Sequence, residues 1–224
     1  MYVVATPIGN LGDLAPRAAR VLSGAAVVAA EDTRRAGRLF MAGGKEGLTR
    51  PRLLSLHAHN YAARIPGLMA LLEAGSDVAL VTDAGTPAVS DPGGAVVAAA
   101  WGMGYPVVPV AGPSAVAAAL SVAGFPAERY LFAGYVPKKP GRRARYFNWI
   151  DMVGETAVLF ETPHRIAVTL AEMAARWPVR PALLARELTK LHEELLRDTL
   201  ARLCEQTKDK TWRGEITLVL APPP

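Results

Sequence analysis

Short apolar runs recur along the first half of the chain, each followed by a polar cluster and then by a helically spaced segment. Tyr2 to Ala5, Ala25 to Ala30, Arg52 to Leu56, the run opening at Val78, and Pro106 to Val110 are predicted strands. Between them, Asp13 is placed to cap a helix running to about Leu22, with Gly24 as its stop. A second helix runs on to Met41, a third carries Leu68, Leu71 and Leu72 and closes at Gly75, and a fourth passes Val96 to reach Trp101. Near-continuous apolar strands alternating with helices predict a largely parallel sheet covered on both faces. Gly43 to Gly47 reads as an exposed, mobile loop.

The pattern changes after Gly112. A small-residue helix, Ala115 to Val122, precedes an aromatic-rich strand, Tyr130 to Val136. A helix is predicted around Arg145 to Ile150, a strand over Thr156 to Phe160, and a helix opened by Thr162-Pro163 and running to Trp177. Ala182 to Leu188 reads as a strand. Glu193 to Gln206 reads as an amphipathic helix with Leu195, Leu196, Leu200 and Leu203 on one side, and Glu215 to Ala221 as the last strand. The predicted fold class is α/β, with two domains, 1–112 and 113–224.

The stretch from Thr82 to Gly93 follows a buried strand with small and polar residues and then hands over to a helix. Asp91 is placed as an N-cap and Pro92 at the first helical position. In an open α/β sheet, ligands bind beyond the carboxyl ends of the strands. Gly85 lets backbone come close to such a ligand. Taken alone, the window serves equally well as a capped strand-to-helix turn.

Composition narrows the field. With 224 residues and 51% hydrophobic content there is enough for a sizeable core, yet no run approaches the roughly 20 apolar residues of a membrane span. The start lacks a basic n-region, so no signal peptide is expected. One cysteine and four histidines give no internal disulfide and no zinc spacing. A cytoplasmic protein without a structural metal follows as the expectation. Net charge is +5, and residues 113–224 hold +4 of it, with 16 Lys/Arg against 12 Asp/Glu. Lys138, Lys139, Arg142, Arg143 and Arg145 cluster in what reads as a basic loop, suited to phosphates or simply to solvent.

In the first half, polar groups gather at the ends of predicted strands: Pro7 to Asn10, Glu31 to Arg34, His57 to Asn60, Asp83 to Asp91 and Gly112 to Ser114. A parallel sheet brings all five to one edge. Each residue by itself could be a helix cap; five such clusters on one rim suggest a site. The G-x-G-x-x-G and P-loop spacings are missing, as is the G-x-S-x-G elbow of hydrolases. Glu187, Lys190, His192, Glu193 and Glu194 form a charged run after a strand, either a solvated segment or a source of a base and a cation.

Several windows, in order, carry a resemblance. They are Thr6-Pro7-Ile8-Gly9-Asn10-Leu11-Gly12-Asp13, Glu31-Asp32-Thr33-Arg34, His57-Ala58-His59-Asn60, Thr82 to Pro87 with Ser90-Asp91-Pro92-Gly93, Gly112-Pro113-Ser114-Ala115, Phe160 to Arg165, Arg186 to Lys190, and Gly214-Glu215. Together they resemble the tetrapyrrole-methylase-like S-adenosylmethionine methyltransferases, in particular the branch that methylates a cytidine ribose 2′-hydroxyl in 16S ribosomal RNA. The resemblance implies two α/β domains with S-adenosylmethionine in a cleft between them, and a homodimer. It places cofactor contacts at Pro7, Ile8, Ala84, Gly85, Thr86, Val89, Ser114, Ala115, Phe160, Glu161 and Leu188. Tetrapyrrole-methylating relatives commonly have an aspartate where this chain has Thr86. RNA-modifying relatives often carry a further small C-terminal domain, and without it the basic loop is expected to carry more of the RNA contact.

For chemistry, methyl transfer needs alignment of three atoms and benefits from a base or a cation at the ribose oxygen. Asp32, Glu187 and Lys190 are the candidates, with His57 behind them. Arg34, Arg35, Lys138, Lys139, Arg142, Arg143 and Arg145 are expected to hold RNA phosphates, and Tyr135 to stack on an unpaired base. The expected partner is 16S ribosomal RNA or the small ribosomal subunit. The alternatives are methyl transfer to a tetrapyrrole and a non-catalytic RNA-binding protein.

Overall fold

Val78, Ala79 and Leu80 are all buried, as are Val27 to Ala30. Burial on both faces is what a central parallel strand requires, and a run of small and β-branched residues supplies it. The computed structural model describes residues 1–42, 51–91 and 93–223. The expectations placed on Gly43 to Gly47 and on Pro92 lie outside these residues. The chain divides into two compact units, Met1–Ser114 and Ala115–Pro224.

In the first unit the order is β1 (Tyr2–Val4), α1 (Pro16–Gly24), β2 (Val27–Ala30), α2 (Thr33–Ala42), β3 (Arg52–Ser55), α3 (Tyr61–Glu73), β4 (Val78–Leu80), α4 (Gly93–Gly102) and β5 (Val108–Val110). The strands lie in the order β3-β2-β4-β1-β5, and every pairing is parallel. Alternate residues feed opposite faces. Val28, Ala30, Ala79 and Val81 pack with Ala18 and Leu22 of α1 and Ala36 of α2. Ala29, Val78 and Leu80 pack with Leu68 and Met69 of α3 and Val96 and Ala100 of α4. A leucine buried in this way contributes about 1.5–3 kcal/mol. Asp13 does not cap α1. It ends a 3-10 turn, Leu11–Asp13, held by the Asn10 side chain, and α1 opens on Pro16.

The second unit runs α5 (Ala115–Ala123), β6 (Tyr130–Tyr135), α6 (Pro140–Val153), β7 (Thr156–Glu161), α7 (Ile166–Arg176), β8 (Pro181–Arg186), β9 (Glu194–Thr199), α8 (Leu200–Thr207) and β10 (Ile216–Leu220). Its sheet, β6-β7-β10-β8-β9, is mixed: β6 and β7 are parallel, and the other pairs antiparallel. α6, α7 and α8 cover one face and α5 the other.

Two elements differ from the sequence reading. The expected helix from Glu193 to Gln206 is a strand followed by a helix. Leu196 packs on the core while Leu195 is 41% exposed, which is the two-residue alternation of a strand. Leu200 and Leu203 are buried three residues apart, as in a helix, and Thr199 caps it by accepting from Arg202 N–H. The basic segment is also mostly helix: α6 begins at Pro140, the position a helix tolerates proline best. Among the described residues no helix is long and apolar enough to cross a membrane.

Candidate active site

All five parallel strands of the first unit end on one edge, so the loops that follow them share a rim. The loop after β4 is stitched to the loop after β1. Thr6 and Gly85 exchange both backbone hydrogen bonds, at 2.9 and 3.0 Å, and the Thr6 hydroxyl donates to Thr82 O. Thr86 reaches the loop after β5 through its hydroxyl, which donates to Pro113 O at 3.3 Å. Gly85 sits at φ +81°, and Ala88 and Ser90 also have positive φ, 69° and 66°. Each of those two non-glycine residues costs on the order of 1–3 kcal/mol, and such strain collects at ligand clamps. Pro7 and Ile8 are buried beneath this loop, Ala84 and Thr86 are half-buried, and Ala88, Val89 and Ser90 are exposed. Ile8 lies where a Cβ on Gly85 would meet it, 3.4 Å away. The structure therefore brings Pro7, Ile8, Ala84, Gly85 and Thr86 into one connected patch. Ser114 lies just beyond Pro113.

Beside this patch stand four carboxylates. Asp32 accepts from the backbone and guanidinium of Arg34, and Arg34 itself is almost fully exposed. That bonding holds the Asp32 carboxyl below its usual range. Asp83 accepts from Asp32 N–H at 2.9 Å and pairs with Arg35 at 3.4 Å. Asp91 accepts from Gly93 N–H at 2.7 Å, which makes it the start signal of α4. Glu31 is exposed, and its pKa is raised by partial burial and by the facing charges of Asp83 and Asp91. His57 takes part in a local turn, its Nδ1 accepting from His59 N–H at 3.2 Å.

In the second unit the residues at strand ends are largely occupied by one another. The Glu161 side chain is fully buried. Its Oε1 accepts from Thr162 N–H at 2.7 Å and pairs with Arg165, and its Oε2 accepts from Thr169 at 2.8 Å. Arg165 also donates to Val136 O at 2.8 Å, tying the end of β6 to the end of β7. Phe160 packs edge-on between Phe132 and Tyr135, and Tyr135 remains 55% exposed. Leu188 packs against the α5 face.

Glu187 and Lys190 form a closed network. Lys190 Nζ donates to Glu187 Oε1 at 2.7 Å and to Glu215 Oε2 at 3.0 Å, while Glu215 N–H donates to Glu187 Oε1 at 2.9 Å. Burial alone would raise the Glu187 pKa; the bonds from Lys190 and Glu215 N–H outweigh it and hold it below the usual range. Burial pulls Lys190 down, and its two carboxylate partners outweigh that and raise it. A carboxylate and an ammonium neutralising each other are poorly suited to act as base and free cation.

The basic cluster divides. Lys138, Lys139, Arg142 and Arg145 are exposed at the start of α6. Arg143 is buried; its guanidinium grips Glu172 and donates to Lys138 O at 3.1 Å. The expectation that Arg143 binds RNA is corrected, because its donors are spent inside the fold. Sequence reading included Arg165 and Glu215 within the windows of resemblance without giving them a role, and missed Thr169.

Residues 1–204 match the family model described as tetrapyrrole (corrin/porphyrin) methylases. The chain is similar to the ribosomal RNA small subunit methyltransferase I of Neisseria meningitidis serogroup A, at 45% identity over 99% of this chain and 76% of that protein. It is 44% identical to the protein of the same name from Xylella fastidiosa, over 98% of this chain and 80% of the other. A crystal structure of diphthine synthase superimposes with a TM-score of 0.73 at 16% identity, covering 98% of this chain and 88% of that one. At that identity the likeness speaks for the fold alone.

Proposed function

Because the chain belongs to the tetrapyrrole (corrin/porphyrin) methylase family, we propose that it is an S-adenosylmethionine-dependent methyltransferase of small-subunit (16S) ribosomal RNA, acting on a cytidine ribose 2′-hydroxyl. The observation that carries the reading is 45% identity, across 99% of the chain, to a protein named for methylating small-subunit ribosomal RNA.

The residues present suit the cofactor. Ala84, Gly85, Thr86 and Val89 are assigned to hold it, with Pro7 and Ile8 beneath, and with Ser114, Ala115, Phe160, Glu161 and Leu188 contributing from the remaining strand ends. Among the described residues the N–H groups of Ala84, Thr86, Ala88 and Ser90 make no backbone hydrogen bond, so the strained loop keeps donors for a polar ligand. Glu161 has both oxygens engaged and contributes through its backbone. When bound, S-adenosylmethionine supplies a methyl group already activated on a sulfonium. The protein's share is alignment of the acceptor and removal of one proton.

Lys138, Lys139, Arg142 and Arg145 are assigned to RNA phosphates, with Arg34 and Arg35 on the rim and Tyr135 as a stacking surface. An exposed cluster of four cations suits the phosphates of an RNA acceptor. The acting form is proposed to be a cytoplasmic homodimer, which light scattering of the purified protein tests.

The test is labelled methyl transfer to unmodified small subunits, naked ribosomal RNA and a precorrin-type tetrapyrrole. Label in RNA supports the proposal. Label only in the tetrapyrrole overturns it in favour of the small-molecule reading. Absence of cofactor binding in calorimetry would point instead to a non-catalytic RNA-binding protein.

A further inference from the structure

The strand ends of the first unit present four carboxylates, and three have partners within the fold. Asp32 is taken by Arg34, Asp83 by Asp32 N–H and Arg35, and Asp91 Oδ1 by Gly93 N–H. Among the described residues Glu31 makes no hydrogen bond or ion pair. It is the residue directly after β2, which lies beside β4 in the sheet. It also lines a crevice of about 10 Å³ together with Thr82, Asp91 and Gly93, bordering the loop assigned to the cofactor. That volume is about one water molecule. Asp91 Oδ2, on the same crevice-lining residue, is buried and receives no hydrogen bond.

A proton acceptor needs free lone pairs, access to solvent, and basicity above that of an ordinary carboxylate. Four groups from three elements face Glu31. Asp83 and Asp91, from the loop after β4, oppose its ionisation, as does its partial burial. Arg35, from α2, and His57, from the loop after β3, favour ionisation less strongly. Asp32 and Glu187 fail the same requirements, since each is held in its charged form by bonded partners.

We propose that Glu31 accepts the ribose proton during methyl transfer, an assignment that rests on the RNA-methylating function proposed above. In the step, the 2′-oxygen bonds to the methyl carbon and the carbon–sulfur bond breaks with its electron pair going to sulfur. The hydroxyl proton passes to the Glu31 carboxylate, which releases it to solvent. On transfer the sulfonium's positive charge and the carboxylate's negative charge are both neutralised; release of the proton restores the carboxylate, so the positive charge leaves the site as that proton.

The experiment is single-turnover methylation of unmodified small subunits against pH, for the wild type, Glu31→Gln and Asp91→Asn, with cofactor affinity measured by calorimetry for each. The wild-type rate is expected to rise along an acid limb centred above 4.5, the ordinary glutamate value. Glu31→Gln is expected to fall by about 100-fold or more, lose that limb and bind cofactor as the wild type does. Asp91→Asn keeps an oxygen for Gly93 N–H but removes one facing charge, so its acid limb should move to lower pH. Glu31→Gln retaining the limb, or losing rate only in step with cofactor affinity, overturns the assignment, as does an unmoved limb in Asp91→Asn. A wild type that binds cofactor yet methylates no subunit RNA overturns the functional reading itself, and the assignment with it.

Discussion

Replacing Gly214 by alanine puts a Cβ 2.3 Å from Glu187 Cδ and Oε1, at a residue whose φ is +84°. The backbone strain of a left-handed alanine costs about 1–2 kcal/mol. The Glu187 side chain, 19% exposed, must also leave its place, breaking its bonds from Lys190 and Glu215 N–H. Hydrogen bonds to a charged group contribute about 1.5–3 kcal/mol, so the full loss is expected near 3 kcal/mol. Glu187→Ala removes the obstacle along with the network. In that background Gly214→Ala should cost only the backbone part, leaving a coupling of about 2 kcal/mol. Urea unfolding of the wild type, both single variants and the double variant measures it. Additive losses would refute the placement of Glu187 on Gly214, and with it the closed network of Glu187, Lys190 and Glu215.

Four further outcomes are expected. Lys138→Ala/Lys139→Ala/Arg142→Ala should weaken RNA binding and flatten its salt dependence by about two logarithmic units per decade. Arg143→Ala should leave that slope unchanged and lower stability by about 1 kcal/mol, because the Lys138 carbonyl and the partly exposed Glu172 lose the donors that the buried guanidinium supplies. Gly85→Ala should lower cofactor affinity in calorimetry while the second unit's unfolding stays unchanged, since the added Cβ meets only ordinary contacts and the cost is the +81° backbone. Hydrogen bonds from Arg143 and Lys210 hold Glu172 and Glu194 below the ordinary carboxylate value of 4.5. Their contribution to stability is complete above that pH and is lost as pH falls through the depressed values. Glu172→Gln/Glu194→Gln should therefore flatten the acid side of a stability–pH profile, and an unchanged profile would contradict the pairing.

The parallel sheet was legible because its inner strands β2 and β4 are buried on both faces and read as unbroken apolar runs. The rim was legible for a related reason: once all strands point one way, their trailing polar clusters must share an edge. What sequence reading missed was decided by pairing between distant residues. Leu195 and Leu196 fit a helical stripe on paper, and only the antiparallel partner β8 turns them into a strand with one leucine inside and one outside. Arg143 looks like its exposed neighbours until Glu172, 29 residues on, captures it. Glu187 and Lys190 look like a base and a cation until Glu215 closes the ring. Glu31 is the opposite case. Sequence reading chose its neighbour Asp32 as the base candidate, and the structure separates the two by bonding Asp32 to Arg34 and leaving Glu31 open.

The most direct test of the central claim is nucleoside analysis of small-subunit RNA after incubation of unmodified subunits with the protein and methyl-labelled S-adenosylmethionine. The expected result is label in 2′-O-methylcytidine alone. Label on a base, or none in RNA while a tetrapyrrole acceptor is methylated, would contradict it.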